Sequence, residues 1–99
     1  MPENPLKVFE TLDPELLKVI ENTGEFALSD GSLPRKIKLL IAMALDAAHG
    51  SVNGVNSLAR QAMKAGATKE EVTEALRVAY LVSGGGSIYT AGSALNEVF

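Results

Sequence analysis

An all-α fold is predicted by three observations on this sequence of 99 residues. Apolar residues recur at helical intervals in nearly every segment, and no stretch shows the period-two alternation of a half-buried strand. Helix punctuation is explicit: Asp13-Pro14 and Thr68 with Glu71 read as starts, Gly50 and Gly66 as stops. The apolar 46% is largely Ala, Leu, Val and Ile, with only 5% aromatic and no tryptophan, a composition that suits close helix–helix packing. The expectation is one domain over 1–99, a bundle of about six helices.

The first helix is short, Leu6–Leu12, following Pro2 and Pro5. The second opens on Asp13 as N-cap, with Pro14 and Glu15 in its first turn. Leu16, Leu17, Val19 and Ile20 are its apolar residues, and Gly24 is expected to end it. Phe26-Ala27-Leu28 then reads as a linker and Ser29–Ser32 as a turn. Pro34 opens the third helix, which runs to about His49 and stops at Gly50. From Leu39 to Ala48 this helix is apolar on almost every side, so it needs cover all round, centrally or from another subunit. The fourth starts near Val52 and ends at Ala65-Gly66. Thr68 and Glu71 form a capping box, which starts the fifth helix at Lys69. That helix continues to about Ser83, again apolar on more than one face. Gly84-Gly85-Gly86 breaks it, and a last helix runs from Ser87 or Ile88 to Glu97.

At this length a lone core is only marginally sufficient, and the chain has no cysteine and a single histidine, so neither a disulfide nor a multi-histidine metal site staples it. Self-association is the remaining usual source of buried surface. No segment reaches the ~18 apolar residues of a membrane span, and residues 1–5 lack the order of a secretory signal, so the expected location is cytoplasmic. The net charge of −3 is unevenly spread. Residues 1–30 carry seven acids and two bases, 31–69 six bases and one acid, and 70–99 four acids and one base. Pairing of the basic middle with the acidic flanks, within or between subunits, explains this better than nucleic acid. A recognised motif, an aromatic platform and a long basic run are all missing.

The absence of cysteine also excludes thiol nucleophiles, disulfide exchange and zinc–thiolate binding for the isolated chain. The polar groups of the apolar middle are then the ones to weigh. Asp46 lies one turn before His49, so the two can form a tuned general base or a structural pair at the helix end. Ser51, Asn53 and Asn56 can hydrogen-bond a ligand, or Ser51 can simply cap the fourth helix. Arg60 can bind a carboxylate or pair with an acidic flank. Tyr80 and Tyr89 read as core or interface residues. The triple glycine lacks a preceding strand and a following Lys-Ser/Thr, so it is a tight interhelical turn rather than a phosphate cradle. No metal or cofactor is implied.

The segment Leu33–Ala94 carries a frame of its own: Gly50, Ala65-Gly66-Ala67-Thr68, Glu70-Glu71, Glu74-Ala75-Leu76 and Gly84-Gly85-Gly86. In this frame the chain, with a family-like core over 33–95, resembles the carboxymuconolactone decarboxylase / alkylhydroperoxidase-D-like family. There an apolar helix opening P-x-x-x-E-L-I ends in G-C-x-x-C-x-x-x-H. The resemblance implies that family's helical bundle and a homotrimer or homohexamer. The reactive positions are changed: the cysteine places fall on Ser51 and Gly54, the histidine place on Leu58 and the glutamate place on Leu39. Thiol peroxidase chemistry, which needs a thiolate and a resolving thiol, is therefore not expected.

Three functions fit this combination. One is a thiol-independent enzyme acting on a small lactone or carboxylate through Asp46, His49 and Arg60, although the lost histidine place counts against standard lactone decarboxylation. Another is an inactive ligand-binding or scaffold homologue that kept the oligomer. The third is a subunit whose chemistry a partner supplies. Any ligand is expected in a small, largely apolar cavity at the junction of helices three and four, where Asp46, His49, Ser51, Asn53 and Asn56 gather.

Overall fold

The computed structural model describes residues 4–99, and these form six helices and no strand. In chain order they are α1 (Phe9–Leu12), α2 (Pro14–Leu28), α3 (Arg35–His49), α4 (Val52–Lys64), α5 (Lys69–Ser83) and α6 (Gly85–Leu95).

The starts expected from side-chain chemistry are made. The Asp13 carboxylate accepts from Leu16 N–H at the head of α2, with Pro14 just inside. Thr68 and Glu71 exchange both bonds of the capping box, at 2.9 and 3.1 Å. The stops after α3 and α4 share one device. Gly50 (φ +83°) and Gly66 (φ +105°) take the left-handed conformation, and the next residue's N–H reaches back five positions, Ser51 to Asp46 and Ala67 to Ala62.

Two expected breaks lie elsewhere. Gly24 does not end α2, because its backbone stays right-handed and the helix continues through Phe26-Ala27-Leu28 to Ser29. Of the three consecutive glycines only Gly84 leaves the helical region (φ +82°), so α6 already begins at Gly85. Ser87 is buried there and its hydroxyl donates to the Gly84 carbonyl at 2.7 Å.

The core lies among α3, α4, α5 and α6. Leu39, Met43 and Ala47 of α3 meet Val55, Ala59 and Ala62 of α4, with Val72 and Leu76 of α5 and Ala91 and Ala94 of α6. The many alanines let the helix axes approach closely, so few large side chains fill the centre. Burying one such as Leu39 contributes about 1.5–3 kcal/mol. Outside this core α1 and α2 bury no residue. The apolar character of α3 and α5 is only half used, since Leu45, Val78, Leu81 and Val82 remain exposed. Tyr80 and Tyr89 are exposed as well, which removes the core reading of both. No described helix is long and apolar enough to cross a membrane.

Candidate functional site

The turn between α3 and α4 is only two residues long, so the end of one helix faces the start of the next. Gly50 reverses the chain, and the Ser51 N–H is fixed to the Asp46 carbonyl at 2.9 Å. Ser51 caps α4, its Oγ accepting from Gly54 N–H at 3.2 Å. That hydroxyl keeps its own proton to donate.

Asp46 completes the corner. A Cβ built on Gly54 would stand 2.7 Å from the Asp46 carboxylate carbon and 2.7 Å from Ser51 Oγ, closer still to one carboxylate oxygen. The half-buried carboxylate therefore occupies the space that any side chain at position 54 would need. It also sits beside the first turn of α4, where the exposed N–H groups and helix dipole favour negative charge. Acceptor, hydroxyl and helix N-terminus converge on one point, and only a residue without a side chain fits beneath them.

The remaining expected site residues divide around this corner. His49 and Asn53 are exposed. Lys36–Glu71 is the one ion pair among the described residues, so the Asp46–His49 pairing expected from their spacing is not made. Asp46 turns instead toward α4, a contact that helical periodicity alone does not reveal. Asn56 and Arg60 face the other way. The Asn56 amide donates to the Ala94 carbonyl (3.0 Å) and to Glu97 Oε2 (3.4 Å). Arg60 Nε donates to Asn56 Oδ1 (3.0 Å), and its Nη2 donates to the Glu97 carbonyl (2.8 Å). Arg60 thus meets the acidic flank through a main-chain oxygen rather than a carboxylate. Together the two side chains close the C-terminal end of α6, whose last carbonyls have no partner inside the helix.

Around the corner Asp46, Ser51 and Gly54 are half-buried, while His49, Val52 and Asn53 are exposed. The two clefts described are elsewhere. One of about 450 Å³ is lined by Asn4, Lys7 and Glu10, the other of about 280 Å³ by Lys69, Thr73 and Arg77. Leu39 and Leu58 are part of the apolar packing, Leu39 wholly buried and Leu58 against the core. Among the described residues no group of three or more His, Asp and Glu is placed to hold a metal.

The contact of Asp46 with Gly54 is not among the sequence-based expectations. The available signal was a glycine in the first turn of a helix, where an acidic or good helix-forming residue is usual.

The carboxymuconolactone decarboxylase family pattern matches residues 14–97. A crystal structure of apo-lpg0406, a protein of that family from Legionella pneumophila, superposes with a TM-score of 0.86 at 35% identity, over 92% of this chain and 81% of that one. The uncharacterised protein H16_B0147 of Cupriavidus necator is 33% identical over 82 residues, 83% of this chain and 73% of its own. The uncharacterised protein MJ1511 of Methanocaldococcus jannaschii is 26% identical over 98 residues, 99% and 92% of the two chains.

Proposed function

The chain belongs to the carboxymuconolactone decarboxylase family, and on that premise we propose that it is a thiol-independent member that binds or acts on a small lactone or related carboxylate at the α3–α4 corner. One observation carries this reading: the Asp46 carboxylate and Ser51 hydroxyl stand together over Gly54, and Ser51 and Gly54 are the two places that hold the cysteines in the resembling pattern. Asp46 is the proton acceptor in this proposal, Ser51 orients the ligand by hydrogen bonding, and exposed His49 exchanges protons with water. Because Arg60 is engaged by the end of α6, the corner suits a neutral lactone ring better than a free carboxylate.

A thermal-shift screen with aromatic-pathway lactones and small carboxylates tests it. A lactone should raise the melting temperature of the natural chain but not of Asp46→Asn, with a weaker effect on His49→Ala. Equal stabilisation of Asp46→Asn would remove Asp46 from the site. Peroxide consumption should stay at background, and thiol-like turnover by rigorously purified protein would contradict the assignment.

A second reading, an inactive scaffold, draws on the exposed apolar faces of α3 and α5. Both readings include self-association into a homotrimer or homohexamer, tested by light scattering at micromolar concentration. A stable mass of 10.4 kDa would refute that part.

A further inference from the structure

The side-chain amide of an asparagine is open to attack by the main-chain nitrogen of the next residue. The attack needs a small neighbour and a nitrogen that no backbone ladder holds. Asn53-Gly54 meets both conditions. Asn53 is exposed, and Gly54 has no side chain to crowd the approach of its nitrogen to the Asn53 amide carbon. Gly54 is also the third residue of α4, ahead of the first full helical bond, which runs from Val55 N–H to the Ser51 carbonyl at 3.0 Å. The hydrogen bond that the Gly54 N–H makes is the 3.2 Å cap to Ser51 Oγ. A side-chain cap, not the ladder, therefore holds the attacking nitrogen.

The other asparagines of the chain each lack one of these conditions. Asn4 is followed by Pro5, which has no N–H to lose. Asn22 is followed by β-branched Thr23 in the interior of α2, where the ladder takes the N–H. The Asn56 amide is itself held, by the Ala94 carbonyl and Glu97 Oε2. Asn96 is followed by Glu97, whose side chain crowds the approach and whose N–H donates to the Ala94 carbonyl at 3.4 Å.

We propose that Asn53 is a site of spontaneous deamidation, a covalent modification by which the α3–α4 corner ages. The Gly54 nitrogen gives its proton to water and bonds to the Asn53 amide carbon. The amide nitrogen takes a proton from water and leaves as ammonia, and a cyclic imide remains. Water then opens one of the two carbon–nitrogen bonds between the ring nitrogen and its carbonyls. One water is consumed and one ammonia released, with no change of oxidation state. Ring closure turns the backbone at Asn53, which the first turn of α4 allows by releasing the Ser51 cap and the Val55–Ser51 bond. One opening leaves aspartate at position 53, where the start of a helix favours its charge. The other leaves isoaspartate, with the main chain routed through the former side chain. That extra backbone atom carries the Gly54 N–H off Ser51 Oγ and shifts Gly54 from beneath Asp46, so the corner comes apart. This inference goes beyond the lactone reading and does not depend on it.

Incubating the folded natural chain at mildly alkaline pH tests it, with peptide mass spectrometry as the readout and methyl esterification by an isoaspartyl methyltransferase to count isoaspartate. The peptide holding Asn53 should gain the mass of a water less that of an ammonia, while those holding Asn22 and Asn96 stay unchanged over the same period. Asn53→Gln should resist, because its longer side chain disfavours ring closure. The isoaspartyl form, separated by ion exchange, should melt roughly 4–8 °C below the natural chain through loss of the cap. Asn53→Asp should melt no lower than the natural chain. Modification of Asn53 no faster than that of Asn22 overturns the proposal. Modification that appears only in denaturant strong enough to unfold the bundle also overturns it, since the first turn of α4 then does not open by itself. An isoaspartyl form that melts with the natural chain overturns the loss of the corner. None of these outcomes depends on whether a lactone binds.

Discussion

Replacing Gly54 by alanine separates the corner described here from an ordinary helix start. On helix propensity alone the change stabilises α4 by about 1 kcal/mol. The new methyl would stand 2.7 Å from both the Asp46 carboxylate carbon and Ser51 Oγ, well inside contact distance. Both are ends of side chains and can move, but each movement has a cost. Displacing Ser51 Oγ loses its bond to Gly54 N–H, a cap worth about 1 kcal/mol. Pushing Asp46 off its rotamer costs roughly 0.5–1.5 kcal/mol. The losses exceed the gain, so Gly54→Ala should destabilise by about 1 kcal/mol, which lowers the melting temperature by roughly 4–8 °C in a domain of this size. Urea unfolding at fixed protein concentration measures it. Adding Asp46→Ala to Gly54→Ala removes one obstacle, so the pair should show a favourable interaction energy of about 1 kcal/mol. Gly92→Ala is the control, because a methyl there meets nothing within 4 Å and the backbone is right-handed. If Gly54→Ala stabilises as much as Gly92→Ala, the carboxylate is not seated over Gly54 and the site argument loses its basis.

Asn56→Ala and Arg60→Ala should each destabilise by about 1 kcal/mol, because each removes a hydrogen bond to a carbonyl at or just beyond the end of α6. The Arg60–Asn56 bond couples them, so chemical denaturation of the double variant should show less than the sum. The carboxyl of Glu71 is held below its ordinary value of 4.5 by the Thr68 backbone N–H and then by the Lys36 ammonium. A depressed acid stabilises the fold above its unfolded value and loses that contribution as pH falls through its folded value. The acid limb of a melting-temperature profile, at and below about pH 4.5, should therefore be shallower in Glu71→Gln, and an unchanged limb would refute the assignment.

The parts of the fold legible in the sequence were those set by local chemistry. Thr68 with Glu71, Asp13 with Pro14, and Gly50 and Gly66 each satisfy main-chain groups within a few residues, so their pattern suffices. Gly24 and Gly85 misled because a glycine permits a left-handed turn without requiring one. Only position 84 takes it among the three consecutive glycines, and Leu28 extends the partly buried face of α2 past Gly24. The site was legible as a place but not as an arrangement. Asp46 and Ser51 were among its candidates, yet the carboxylate's seat over Gly54 depends on how two helices meet. Asn56 and Arg60 bond to residues 37 to 41 positions away, and no local pattern encodes that distance.

The lack of any buried residue in α1 and α2 divides the molecule into two units of unequal persistence. A helix of 15 residues is marginal in water unless tertiary contacts hold it. α2 can therefore fray and re-form at the cost of only partly buried contacts, such as Leu28 against the core, as a sub-global opening of the kind hydrogen exchange detects. Its amides exchange through that local opening, while those of α3–α6 wait for cooperative unfolding. Whatever covers α2 consequently sets the lifetime of the first third of the chain independently of the melting point of the rest.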